Sequence, residues 1–252
     1  VIVGAAVLPT APLLVPGVSP MLPEGVEKVR GCVDAAVAAL PPCDLVVVVA
    51  AGDGGVHDTA TVAFGGIGRE NLSTQVPVAA TEVAALRQAL GGLGTADGAA
   101  SGAASGALPL DLSVLALHVA GVAPVVPVAV PPDAPFGQLA DTGSVIAQTF
   151  AGPDVRAAVV VAGDLSAGLT EKSPLHLVSG AIFWDEQAVA AVDGGRMEAL
   201  GRLGPQEATR VGARGWAALS VLAGVTGATR FGMVVRHYSA PRGVGYMVAS
   251  GG

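Results

Sequence analysis

The stretch that decides the fold is residues 44–58, DLVVVVAAGDGGVHD. Residues 45–49 are apolar without alternation, the pattern of a strand covered on both faces, as in the parallel sheet of an α/β protein. The run stops in a loop carrying Gly52, Asp53, Gly54, Gly55, His57 and Asp58. In open α/β sheets ligands bind at the carboxyl ends of the strands, so this loop is the first place to look for chemistry. Three glycines also make an ordinary turn, and Asp53 and Asp58 serve equally well as turn residues that accept from backbone amides.

Working outward, residues 1–8 form a short apolar run ending at Pro9, which predicts a buried first strand. Apolar residues at Val26, Val29, Val33, Val37 and Leu40 then predict a helix over residues 23–40, with Pro23 and Glu24 in its first turn. With the strand at 45–49 this completes a β-α-β unit. Further strands are predicted at 113–118, 125–130 and 157–162, with a short one at 61–64. Helices are predicted at 79–90 and 136–150, and a helical stretch follows over 182–192, 194–203 and 205–223. Two strands at 230–237 and 244–250, joined by YSAPRG, read as a hairpin. Residues 91–107 are almost wholly Gly, Ala and Ser, which predicts a mobile surface loop. No internal repeat or linker divides the 252 residues, so one α/β domain is expected.

Composition excludes several function classes. A formal charge of −7 and the lack of any Lys/Arg cluster argue against nucleic acid, whose phosphates demand a basic surface. The most membrane-like segment, residues 112–130, is interrupted by His118, Pro124 and Pro127 and does not read as a spanning helix. The amino-terminal segment lacks a basic region and carries Pro9, Pro12 and Pro16, unlike a secretory signal. A soluble cytoplasmic protein is expected. Cys32 and Cys43 then read as small buried hydrophobes rather than a disulfide.

Four polar loops follow apolar runs: Thr10; Asp53, His57 and Asp58; Asp164 and Ser166; and His237, Tyr238 and Ser239. A sheet that gathered them would line a cleft with carboxylates, imidazoles and hydroxyls, fit for a metal or for acid–base work. Quieter roles stand beside these: Asp164 as a cap on a following turn, His118 as a hydrogen-bonded core histidine, His176 as solvated surface. Ser166 lacks the G-x-S-x-G setting of a hydrolase nucleophile, and neither a G-x-G-x-x-G after the first strand nor a P-loop is present.

Four segments in order carry a resemblance. LPTAPLLVPGV (residues 8–18) is similar to P-H-P-P-L-L-x-P, and VVVAAGDGGVHD (47–58) to a strand followed by S-P-H-G. VVVAGDLSAGLTEKSP (159–174) is similar to G-D-L-S-H-x-L, and HYSAPRGVGYMVA (237–249) to Y-E-G-P-x-G-V-G-Y. On these the chain resembles the class III extradiol dioxygenase B-subunit superfamily (LigB-like), which includes the Memo-type proteins. The resemblance implies a three-layer α/β/α sandwich around a mostly parallel or mixed central sheet. It also implies an Fe(II) held by two histidines and a glutamate, with a further histidine as acid–base catalyst. In this sequence those positions fall at Thr10, Asp53 and Ser239, and the acid–base position at Ala167. Neutral hydroxyls ligate poorly and alanine transfers no proton.

The resulting expectation is a LigB-like scaffold without its iron site or cofactor, binding a small molecule or a protein through the old cleft. The alternative is a metal-dependent enzyme, an extradiol dioxygenase or another, with Fe(II) on relocated ligands among Asp53, His57, Asp164 and His237, on loops expected to converge. Family members are often dimers, so a homodimer is a further expectation, as is a partner chain that completes the site.

Overall fold

The computed structural model describes residues 1–19, 21–91 and 107–252, so the predicted Gly/Ala/Ser loop lies almost wholly outside the described residues. The elements in order are β1 (Ile2–Leu8), α1 (Val26–Ala38), β2 (Leu45–Ala51), β3 (Gly55–Val56), β4 (Thr61–Phe64) and β5 (Arg69–Gln75). After these come α2 (Ala80–Gly91), α3 (Leu110–His118), β6 (Val125–Val130), α4 (Phe136–Thr149) and β7 (Ala157–Ala162). The chain ends with α5 (Ala181–Asp193), α6 (Pro205–Val211), α7 (Trp216–Thr229), β8 (Met233–Ser239) and β9 (Tyr246–Gly251).

Seven strands form one mixed sheet in the order β3-β6-β2-β7-β1-β9-β8, and β4 and β5 form a separate antiparallel pair. The four central strands β6, β2, β7 and β1 run parallel, and every residue in them except Val3 and Ala51 is buried. That burial is the reason their sequences show no alternation. β9 runs antiparallel to β1 and β8 antiparallel to β9, so β8 again points the same way as β1. Helices α1 and α3 pack on one face of the sheet; α4, α5 and α7 cover the other. The architecture is the expected three-layer α/β/α sandwich, with its core between the sheet and each helical layer.

Two predicted elements are corrected. Residues 113–118 are helix α3, not strand. All six residues from Asp111 to Ala116 are buried, and a helix buried on every side loses the apolar stripe that distinguishes it from a strand. The long helix predicted over 205–223 breaks at Gly212, whose φ of 74° ends α6. The chain then passes Gly215, where a Cβ would stand 2.8 Å from the carbonyl oxygens of Ala162 and Asp164. That close approach carries Arg214 to the strand ends. Elsewhere Pro23 and Glu24 precede α1 rather than forming its first turn, Met197–Arg202 is a 3-10 helix, and β5 has no apolar signal in sequence. Cys32 and Cys43 are both free and half-buried, and burial pushes the Cys43 thiol pKa up.

Helices α4 and α7 touch backbone to backbone. A Cβ on Gly224 would lie 1.8 Å from the Ala140 carbonyl oxygen, and one on Gly143 1.9 Å from that of Val221. Gly227, one turn further along α7, faces open space. Gly224→Ala is therefore expected to destabilise by about 3 kcal/mol or more through overpacking. Gly227→Ala should stabilise by about 0.5–1 kcal/mol through helix propensity. Urea unfolding of both variants checks the pair, and equal effects would contradict this helix contact.

Candidate functional site

The parallel strands, together with the end of β8 and the start of β9, bring Thr10, Asp53, Asp164, Ser239 and Tyr246 to one end of the sheet. At its centre lies Asp164, buried just beyond β7. Its Oδ2 accepts from the Thr10 backbone amide at 2.7 Å and from the Thr10 hydroxyl at 2.5 Å. Burial pushes the Asp164 pKa up to about 6; the Thr10 hydroxyl opposes the shift, nearby Asp111 adds to it, and Arg214 opposes it. Asp164 does not take the capping role set beside its chemical one; it ties the loop after β1 to the loop after β7.

Arg214 reaches Asp111 at the first turn of α3, with Nη2 and Nε both donating to Oδ2, at 2.7 and 3.2 Å. Asp111 is buried while the Arg214 side chain is 68% exposed, so the pair closes one side of the Asp164 site and faces solvent on the other. Sequence reasoning missed both residues. A lone acid inside the apolar run LPLDLSVLAL was the available signal.

A second cluster lies on the other face of the sheet. Ser166, fully buried, donates from its hydroxyl and its amide (2.9 Å) to Oδ1 of Asp185 on α5, and the Tyr238 hydroxyl donates to Oδ2 at 2.7 Å. Asp185 has no exposed surface. Burial raises its pKa, and the Ser166 and Tyr238 bonds hold it back. This acid was also missed; in AIFWDEQAVAAV it stands on the otherwise apolar buried face of α5. Gly245 passes so close that a Cβ there would meet Asp185 Oδ2 at 2.2 Å.

The segments GDLSAGL and RGVGYM are zipped together by backbone bonds. The amides of Leu165 and Leu169 donate to the carbonyls of Gly245 and Gly243, and those of Gly245 and Met247 donate to Ser166 and Gly163. Ala167 is half-buried, its amide bound to the Val211 carbonyl and its methyl against Gly212.

The remaining candidates disperse. Asp53 is exposed at the end of β2. Strand β3 folds back antiparallel along β6, so the His57 amide bonds Pro127 and the ring is carried away from the strand ends. Burial lowers the His57 pKa, and its Nε2 is buried without a partner. Asp58 pairs with Arg87 at 2.5 Å on the surface. His237 Nε2 is hydrogen-bonded to Ser239 Oγ at 2.8 Å, and the ring lies on the α1 side of β8. β3 and β8 are opposite edges of the sheet, six strand spacings or roughly 29 Å apart. The expected convergence of Asp53, His57, Asp164 and His237 is thus corrected: antiparallel edge strands send the two histidines to opposite margins. Among the described residues no three His, Cys, Asp or Glu side chains group as metal ligands would.

His118 is hydrogen-bonded to the Pro9 backbone, as a core histidine would be, but it stands in a helix and not in a strand. It ends α3 with Nε2 buried and unpartnered, and burial lowers its pKa to about 4. His176 is on the surface, as expected. Among the described residues no helix is long and apolar enough to cross a membrane.

The fold is similar to that in the crystal structure of the uncharacterized protein JW3007 from Escherichia coli K12. The TM-score is 0.61 at 15% sequence identity, over 98% of this chain and 99% of that one. At that identity the likeness is one of fold. No family model matches the chain, and no curated protein matches it.

The raised pKa of Asp164 has a stability consequence with a definite sign. The carboxyl titrates near 6 when folded and near 3.8 in its ordinary state. The folded protein therefore binds the proton more tightly, and the stability this gives is fully present below about pH 4 and lost as pH rises through 6. Relative to the wild type, Asp164→Asn is expected to gain up to about 3 kcal/mol between pH 4 and 6.5. Denaturant unfolding of both proteins across that range measures it, and a pH-independent difference would contradict the buried-acid reading.

Proposed function

We propose that this chain is a LigB-like scaffold whose Fe(II) site and acid–base histidine have been lost, kept as a non-catalytic protein that binds a ligand at the carboxyl ends of its sheet. The observation that carries this reading is the contrast between the frame and the donors. The segments that carry the resemblance most specifically, GDLSAGL and RGVGYM, are knit together backbone to backbone around glycines that leave no room for side chains. The positions assigned to ligands hold groups already engaged or chemically unsuited. The Thr10 hydroxyl is bonded to Asp164 and the Ser239 hydroxyl to His237, which leaves one exposed carboxylate, Asp53.

A facial Fe(II) site needs two imidazoles and a carboxylate on one side of the metal. Two neutral hydroxyls and a carboxylate do not fit it. With alanine at position 167, no side chain there carries a proton to or from a bound catechol. What the strand ends retain are polar, partly exposed side chains, among them Asp53, Arg214 and Ser239, suited to holding a ligand rather than to oxidising one.

The test is anaerobic loading with Fe(II), desalting and iron analysis, followed by a catechol panel read at the ring-cleavage absorbance. Iron is expected to stay well below one per chain, with no cleavage. Stoichiometric iron that survives desalting, or turnover of any catechol, would overturn the proposal.

A further inference from the structure

Beside the end of β8 a cavity of about 550 Å³ opens between β8 and the entry to α1. Glu24, Lys28, His237, Tyr238, Ser239 and Arg242 line it. The chain is acidic overall, with 20 carboxylates against 13 Lys and Arg, so two cations and an imidazole around one concavity are out of proportion. The cations formed into ion pairs elsewhere are Arg87, Arg210 and Arg214. Among the described residues neither Lys28 nor Arg242 has an ion-pair or hydrogen-bond partner, and both face solvent.

The backbone presents these groups from separate elements. Lys28 projects from the first turn of α1, and Arg242 sits in the turn between β8 and β9 with φ of 72°, a region that non-glycine residues seldom occupy. Pro241 packs against Gly25 at the helix entry and so fixes the turn against α1. His237 and Ser239, two apart on β8, share a face and are bonded to each other. The field of Lys28 reaches His237, whose pKa is lowered by burial first and by Lys28 second.

We infer that this cavity is an oxyanion site, and that its ligand is the phosphoryl group of a small molecule. Two cations on facing elements, with an imidazole and a hydroxyl between them, match a compact group carrying one to two negative charges and several acceptor oxygens. Among the described residues Glu24 is the only carboxylate lining the cavity, and it sets a limit on the charge accepted. The inference supplies a ligand class for the binding role proposed above and rests on that reading for its location at the strand ends. Iron loading bears on that reading alone, and the following experiment bears on this site alone.

Inorganic phosphate is the probe, titrated into the full chain at pH 7 and constant ionic strength and followed through the imidazole NMR signals. The chain has four histidines, so His57, His118 and His176 are internal controls. The His237 signal is expected to shift saturably toward the protonated position, with chloride at equal ionic strength giving no such shift. Lys28→Gln and Arg242→Gln should each weaken phosphate about tenfold, as loss of one charge-assisted bond does. Glu24→Gln should tighten it, and acetate should bind more weakly than phosphate. A His237 signal that drifts without saturation in step with exposed His176, unchanged affinity in the Lys28 and Arg242 variants, or acetate binding as tightly as phosphate would overturn the inference.

Discussion

Asp164 stands where β1, β7 and the start of β9 meet, cut off from water, and one of its oxygens takes both hydrogen bonds that Thr10 has to give. A carboxylate in that position loses several kcal/mol of solvation unless donors replace the water. Here they do so in part. The pKa rises only to about 6, a displacement of two units from 3.8, or about 3 kcal/mol. The interaction fixes the loop after β1 against the loop after β7, and the other polar groups at this end are arranged relative to that joint. Arg214 and Asp111 guard one flank; the ladder from Gly163 to Met247 extends it toward β9 and β8.

Close backbone contact is the second constraint. Gly215 lets the start of α7 touch the Asp164 turn, Gly245 lets the final hairpin pass over Asp185, and Gly143 and Gly224 let α4 lie directly on α7. A side chain at any of these points would require the backbone to move, and packed interiors have little room for that. The result joins buried Ser166 and Asp185 to the part-exposed Tyr238 in one network that links the loop after β7, α5 and β8. Such a network carries its weight only when every member is satisfied. Asp185 is satisfied on both oxygens.

Topology then divides what looks in sequence like one collection of polar loops. Parallel strands deliver Thr10, Asp53 and Asp164 to the same end, but β3 turns back along β6 and takes His57 with it. The opposite edge carries His237 and Tyr238, and because side chains alternate along a strand, His237 faces α1 while Tyr238 faces α5. The polar groups therefore form separate small assemblies: a buried acid at the centre, a part-buried network behind it, and a basic cavity at the margin.

By itself the sequence determined the elements whose patterns are local. The unbroken runs at 45–49, 125–130 and 157–162 specified buried parallel strands, and the spacing of Val26, Val29 and Val33 specified α1, because burial on both faces and a single apolar stripe each leave a distinct period. The position of the polar loops at the strand ends was equally legible. Only the tertiary structure decided that residues 113–118 are helix, since a segment buried all round has no period to read. It alone paired Asp164 with Thr10, Asp111 with Arg214 and Ser166 with Asp185, residues 19 to 154 positions apart whose contacts no local pattern encodes. The strand order decided the rest, because placing β3 and β8 at opposite edges separates histidines that the order of loops along the chain seemed to bring together.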